Sequence, residues 1–267
     1  MNSVVLAKEI RKDAVIATSM AHAGHIGSIL SIADIVAVLY ADVLRKNKQG
    51  AKPVFFDKFV LSKGHAGLAV YSALAELKII DKDLLLKTYY QNGSRFSGHV
   101  SSYKNEGIEL STGSLGQGIG VAVGFALAEK LNKSSAKVYT LVGNGECNEG
   151  SVWEAVMFAS AHKLDNLVII VDDNKLQSLG KSAEILDMGS LSGKFSSFGC
   201  EIAEIDGHNH KQIKLALTKN VKDKPLVVIC NTIKGKGVKM MENNNDYHSK
   251  YVSSQDLNKV LAEIEGK

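Results

Sequence analysis

A chain of 267 residues, 45% of them hydrophobic, is long enough to bury one sizeable core, and no internal repeat or Pro/Gly/Ser-rich linker divides it. Its 32 Lys and Arg are scattered among 28 Asp and Glu for a formal charge of +4, which leaves no basic stripe for a nucleic acid to follow. Cys147, Cys200 and Cys230 are odd in number and lack a Cys-x-x-Cys spacing, so they indicate neither a disulfide framework nor a zinc site and fit a reducing cytoplasm.

At the N-terminus Leu6, Ile10, Ala14 and Ala17 form one apolar helical face, and Lys8, Glu9, Arg11, Lys12 and Asp13 break any signal-peptide apolar region. A second helix is expected from Ile32, Ile35, Val36, Leu39 and Val43, with Ser31 as its cap. Two helices therefore precede the first strand, expected over 58–62. Lys63-Gly64-His65 follows it, and then a helix over 66–77. The helix expected over 116–131 contains the most membrane-like stretch, 119–128, which is far short of the roughly 20 residues a spanning helix needs and reads as buried. Strands over 138–141, 167–171, 200–205 and 226–230 alternate with helices over 149–162 and 211–219. Residues 234–250 turn polar and irregular, with Gly235, Gly237 and Asn243-Asn244-Asn245, and an amphipathic helix over 254–264 follows. This order predicts an α/β fold in a single domain, 1–267: an open, mostly parallel sheet with helices on both faces. Ligands of such sheets sit beyond the carboxyl ends of the strands.

Two strand ends carry chemistry. Gly143-Asn144-Gly145-Glu146 follows one apolar run, where glycines let backbone N–H groups approach a phosphate and the next helix start adds its positive dipole end. Asp173-Asn174 closes the following apolar run, and Asn144 and Asn174 together offer two oxygen ligands that, with a diphosphate, suit a magnesium ion. A dinucleotide loop would need its third glycine at Asn148, and a P-loop beginning at Gly145 would need Lys in place of Ser151.

The spacing carries a family resemblance. Gly143-Asn144-Gly145, then 27 residues (146–172), then Asp173-Asn174 resembles the thiamine diphosphate signature, and the stretch from Glu146-Cys147-Asn148-Glu149-Gly150 through Trp153-Glu154-Ala155 is similar to the N-terminal, diphosphate-binding half of transketolases. The resemblance implies thiamine diphosphate held by His65, Gly113, Leu115, Gly143, Asn144, Gly145, Glu146 and Asn174. It also implies Mg2+ (or Ca2+) on Asn144, Asn174 and the backbone carbonyl of Leu176. His25, His65, His99 and His248, each glycine-flanked or in a loop, match positions where the family carries active-site histidines; His22, His162, His208 and His210 are expected to be structural or exposed. Glu149 and Glu154 are implied at a subunit interface, Asp172 and Asp173 as local charge near the metal, and Gly120 and Gly124 as close-packing positions on their helix. One position departs from the family. Asn144 stands where it carries a metal-ligating Asp, so weaker and more metal-dependent cofactor binding is expected.

The resemblance spans about half of a full transketolase. It implies a split enzyme whose separate C-terminal subunit completes an α2β2 assembly acting on sugars or sugar phosphates in the cytoplasm, with no membrane or nucleic-acid partner. Two other readings stay open: the alpha subunit of a thiamine enzyme acting on 2-oxo acids, which does not predict the four histidines, and a noncatalytic cofactor-binding subunit.

Overall fold

The computed structural model describes residues 1–47 and 54–266. A short antiparallel pair, β1 (Lys46–Asn47) and β2 (Val54–Phe55), precedes the main sheet. That sheet contains β3 (Lys58–Leu61), β4 (Val138–Gly143), β5 (Leu167–Asp173), β6 (Glu201–Asp206) and β7 (Leu226–Asn231), in the order β3-β4-β5-β7-β6 with every pairing parallel. β4 and β5 are buried along their whole length, which is why they read as continuous apolar runs.

Alternate side chains of each strand enter opposite cores. Tyr139, Leu141, Val168 and Ile170 pack with Leu6 of α1 (Ser3–Ala21), Ile35 of α3 (Ala33–Val38), Leu68 of α4 (Gly67–Glu76) and Ile213 of α10 (His210–Leu217). Val138, Val142, Ile169 and Val171 pack with Ile119 of α6 (Gln117–Leu131), Val156 of α7 (Gly150–Ala161) and Phe195 of α9 (Leu191–Ser197). Each such aliphatic side chain contributes about 1.5–3 kcal/mol by leaving water. A further helix, α11 (Leu257–Glu265), packs on α1.

The N-terminal third departs from expectation. Three helices, not two, precede the sheet: α1, then α2 (Ile26–Ser31), then α3, which continues as a π-helical turn over Leu39–Val43. Ser31 is not a cap. It closes α2 and donates from Oγ to Asp172 Oδ1 at 2.7 Å, because a buried hydroxyl finds its best acceptor in that carboxylate. Two short helices, α5 (Lys82–Thr88) and α8 (Ser182–Ile185), had no expected counterpart, nor had α9. Asp81 and Ser190 cap α5 and α9 by accepting from Leu84 N and Gly193 N.

The helix α6 is buried on one side alone. A Cβ on Gly118 would stand 2.7 Å from the Ser62 Cα, so this glycine is the one that lets helix and strand end meet. Gly120 and Gly124, expected to pack, are exposed, and a Cβ there would meet nothing within 4 Å among the described residues. Among the described residues no helix is long and apolar enough to cross a membrane. All three cysteines are free and buried.

Candidate functional site

The parallel pairing of β4 with β5 sets Gly143 opposite Asp172, so the turn after β4 and the Asp173-Asn174 end of β5 lie side by side at the carboxyl edge of the sheet. A cavity of about 330 Å³ opens there. Gly143, Asn144, Gly145, Glu146, Asn174 and Leu176 line it, as do Gly113, Leu115 and Glu149 from the segments before α6 and α7. The same cavity is lined by His25, His65, His99 and His248, contributed by four different parts of the chain. Glu154 does not line it and lies exposed on α7.

Two buried carboxylates fix the strand ends. Glu146 accepts from Ser62 Oγ (2.5 Å), Gly116 N (2.8 Å) and Gly143 N (3.1 Å), tying β3, α6 and β4 together. Burial is the main influence on this carboxyl and raises its pKa, opposed by those three hydrogen bonds and by Lys63. The Glu146 side chain is therefore spent on bracing, which leaves its backbone for a phosphate. Gly116 makes the bracing possible: its φ is +80°, and a Cβ there would come within 2.3 Å of Ser151 Oγ. Asp172, expected as local charge near a metal, is a fully buried hub that accepts from Lys63, Ser31, Thr232 and Asn174.

The oxygens expected to hold a cation fit that task. Asn144 Nδ2 donates to Ser182 Oγ at 2.7 Å, which fixes the amide and leaves Oδ1 with no protein donor among the described residues. Asn174 Nδ2 is bonded to Ser31 and Asp172, while its Oδ1 accepts one bond, from Leu176 N at 3.0 Å, and keeps a second lone pair. The Leu176 carbonyl accepts no backbone bond among the described residues. Oxygen donors of this type suit a hard divalent cation. All three are neutral, and the described residues contain no cluster of three or more His, Cys, Asp or Glu placed to hold a metal.

The histidines form one cluster. The His25 ring lies 5.4 Å from His65, 5.4 Å from His99 and 5.2 Å from His248, centroid to centroid. His25 adopts a left-handed φ of 70° ahead of α2, and its N–H donates to the His248 carbonyl at 2.8 Å, so backbone as well as ring contacts unite the N-terminal and C-terminal loops. A non-glycine residue in this conformation is held by its surroundings, and such strain concentrates at functional sites. Burial lowers the pKa of His25 to about 4, with His99, Lys63 and Lys234 adding to the effect. Burial likewise lowers His248 to about 4 and holds His65 well below its ordinary value. These three rings are neutral at pH 7, each with one donor and one acceptor nitrogen. His248 Nδ1 is buried without a hydrogen-bond partner among the described residues. The other four histidines are engaged elsewhere: His22 stacks on Tyr251, His162 on Phe158, and His208 and His210 bind Asp34 at 2.7 and 3.1 Å.

Sequence reasoning missed two cavity-lining cations, Lys63 and Lys234, which are 2% and 1% exposed. Their signal was available. Each follows the carboxyl end of an apolar parallel strand, where a lysine borders the ligand edge of the sheet.

Residues 3–264 match a protein family described as transketolase, thiamine diphosphate binding domain. The chain is 39% identical over 260 residues to an apulose-4-phosphate transketolase subunit from Actinobacillus succinogenes, covering 97% of this chain and 94% of that one. It is 38% identical over 244 residues to the 6-deoxy-6-sulfo-D-fructose transketolase subunit SqwG of Clostridium sp. (strain MSTE9), covering 91% and 88% respectively. Among solved structures, the transketolase from Leishmania mexicana superposes with a TM-score of 0.88 at 27% identity, over 99% of this chain and 41% of that one. The Campylobacter jejuni transketolase gives 0.86 at 31% identity, over 100% and 43%. The chain thus spans about two fifths of these solved transketolases and nearly all of the two subunits.

Proposed function

Because the chain belongs to the transketolase, thiamine diphosphate-binding domain family, we propose that it is the N-terminal subunit of a two-chain transketolase, a single diphosphate-binding domain working with a separate C-terminal subunit. The reaction moves a two-carbon ketol unit from a ketose or ketose phosphate to an aldose or aldose phosphate. The observation that carries this reading is the convergence of His25, His65, His99 and His248 on the same cavity as the two strand ends.

Bound thiamine diphosphate supplies the nucleophilic carbon and the electron sink that cleavage of a carbon–carbon bond requires. This chain's own residues supply anchoring and proton handling. The turn over Gly143 to Gly145 presents backbone to the diphosphate, and Asn144, Asn174 and the Leu176 carbonyl would hold Mg2+ or Ca2+ against it. A neutral imidazole takes the proton of a sugar hydroxyl as the bond breaks, and returns one to an aldehyde oxygen as the new bond forms. Rings kept neutral by burial are ready for the first task at physiological pH. Hydrogen bonds from the same rings to donor hydroxyls discriminate against sugars lacking them, since buried nitrogens would then go unpaired.

Two relatives are named as transketolase subunits, which supports a partner chain here. The outer faces of α6 and α7, with Val121, Leu131, Met157 and Phe158 exposed, offer an apolar surface for it, and Glu149 and Glu154 border the same region. An α2β2 assembly in the cytoplasm is the arrangement we propose, the latter in keeping with three free cysteines. The test is co-purification with the C-terminal partner chain, followed by assay of two-carbon transfer from a panel of ketose phosphates, apulose 4-phosphate and 6-deoxy-6-sulfofructose, with pyruvate as contrast. Turnover of pyruvate in preference to every ketose would overturn the reading, as would failure of the complex to bind thiamine diphosphate with Mg2+ present.

A further inference from the structure

The turn after β6 is pressed against the end of β7. Gly207 N–H donates to the Asn231 carbonyl at 2.9 Å, and a Cβ on Gly207 would stand 2.4 Å from Thr232 Cγ2, so this glycine lets His208 reach the first residues beyond the strand. There the His208 ring makes two bonds at once. Its Nε2 accepts from the Ile233 N–H at 2.9 Å, and its Nδ1 pairs with Asp34 Oδ2 at 2.7 Å. A backbone N–H can only donate, so the ring proton sits on Nδ1 and is given to Asp34, which fixes tautomer and ring plane together. Asp34 is buried and also binds His210 and both ends of the Arg11 guanidinium, the latter at 3.0 and 2.6 Å. Arg11 Nε reaches on to the Lys236 carbonyl at 3.0 Å. One carboxylate thus holds residues 233 and 236 through two side chains.

The segment held this way leads into the cavity. Gly235 N–H donates to the Gly27 carbonyl and Asn243 N–H to the Lys234 carbonyl, both at 2.9 Å. The far end of the same loop returns to the same place: a Cβ on Gly27 would meet the Tyr247 carbonyl at 3.3 Å, and the His25 N–H donates to the His248 carbonyl at 2.8 Å. The start of α2 therefore seats both ends of the stretch 235–248, while His208 and Arg11 fix the near end from behind. His208 itself lies outside the cavity lining.

We propose that His208 is a positioning residue: by accepting from the Ile233 N–H with Asp34 behind it, it holds the start of the loop over 234–250 so that His248 stands among the cavity histidines. The inference rests on the reading of that cavity as the site of sugar chemistry, and it gives a part there to a histidine expected to be structural or exposed. Displacing a catalytic ring by about 1 Å costs on the order of 10² in rate. The Asp34 contact alone would only join α3 to the start of α10. The bond to Ile233 is what carries its geometry to the site.

Two substitutions separate the two bonds. The amide of His208→Gln falls where Nε2 was and can accept from Ile233, whereas that of His208→Asn falls where Nδ1 was and reaches only Asp34. In the isolated full chain, NMR follows exchange of the Ile233 amide and titration of the His248 ring, and circular dichroism follows folding. Folded His208→Asn should exchange the Ile233 amide about tenfold faster or more. Its His248 midpoint should move from about 4 up toward 6.5 as the ring gains water, while His208→Gln keeps both readings near wild type. In the two-subunit complex, two-carbon transfer should fall about tenfold or more for His208→Asn and be retained by His208→Gln. The inference is overturned if His248 titrates alike in folded His208→Asn and wild type, or if His208→Gln shifts the ring and loses transfer as His208→Asn does. A freely exchanging Ile233 amide in wild type also overturns it, and this arm and His208→Gln decide even where His208→Asn fails to fold. Absence of transfer from every ketose by the wild-type complex would remove the transketolase reading, and the NMR result would still decide the role of His208.

Discussion

His99 reaches the cavity from a loop and His248 from the end of a 3-10 turn (Asn245–His248), and neither side chain braces a strand end, so removing them should affect sugar chemistry more than cofactor retention. In the two-subunit complex, His99→Ala and His248→Ala are expected to lower two-carbon transfer by about 10² to 10⁴, the range for loss of an acid–base or orienting group. Bound thiamine diphosphate, followed by its spectroscopic signal, should stay near wild type; an unchanged rate in both variants would return these rings to a structural role. Asn144 poses the complementary question. Its Oδ1 has no donor among the described residues while its Nδ2 is tied to Ser182, so Asn144→Asp keeps a ligand oxygen in place and adds one negative charge. Metal-loaded cofactor binding should tighten in this variant, because hard cations gain from an anionic ligand. Titration of Mg2+ at fixed thiamine diphosphate checks this, and coincident curves for the two proteins would mean that residue 144 does not touch the metal.

The elements differ in how openly the sequence announced them. β4, β5 and β7 were legible because both of their faces are covered, so residues such as Val138 to Leu141 and Leu167 to Val171 form unbroken apolar runs. α5, α8 and α9 were not, since four to seven residues complete too few turns for a 3.6-residue period to show. Ser31 misled because a cap signal is local and its hydroxyl answers to Asp172, which is distant in sequence. Lys63 and Lys234 were overlooked for a related reason: a lysine in a polar context reads as solvated until the fold closes around it. The four histidines were found through their glycine-flanked settings and the family pattern, although their mutual ring contacts needed the structure. α6 shows the same divide within one helix. Gly118 touches the Ser62 backbone, so Gly118→Ala should destabilise the chain by about 1–3 kcal/mol through overpacking. Gly124 touches nothing, so Gly124→Ala should stabilise the isolated chain by about 0.5–1 kcal/mol through helix propensity. Urea denaturation of the two variants measures both, and a loss of stability in Gly124→Ala would show that the outer face of α6 is already covered within the chain.

At the scale of the whole molecule, burial of the histidine cluster has a consequence for stability. His25 and His248 titrate near pH 4 in the folded chain and His65 well below its ordinary value, against about 6.5 unfolded, so the unfolded state binds more protons between those values. Stability should therefore be full above pH 6.5 and fall as pH drops toward 4. Asp13 and Glu146 act in the opposite sense, since burial raises both pKa values, that of Asp13 to about 6, but they are two carboxyls against three rings. Denaturation midpoints at pH 7, 5.5 and 4.5 should descend, and a flat series would contradict the buried, neutral state of these rings. Assembly draws on the opposite side of the chain's chemistry, its exposed apolar groups. Val121, Leu131, Met157 and Phe158 are 38%, 73%, 58% and 41% exposed on the outer faces of two adjoining helices, a concentration of apolar surface that marks an interaction site more often than open solvent. Gly120 and Gly124 lie exposed on the same helix face, where the lack of side chains would let a partner's backbone approach closely. If the C-terminal chain docks there and completes the active site, purified chain alone should be folded yet give no two-carbon transfer. Phe158→Glu should then weaken association by about 2 kcal/mol or more, on the order of thirtyfold, with the isolated chain's denaturation midpoint unchanged. Analytical ultracentrifugation of the mixed subunits gives the association constant, and activity should follow occupancy of the complex. Turnover by the rigorously purified single chain would refute the division of labour between subunits, and undiminished association of Phe158→Glu would move the docking surface off α6 and α7.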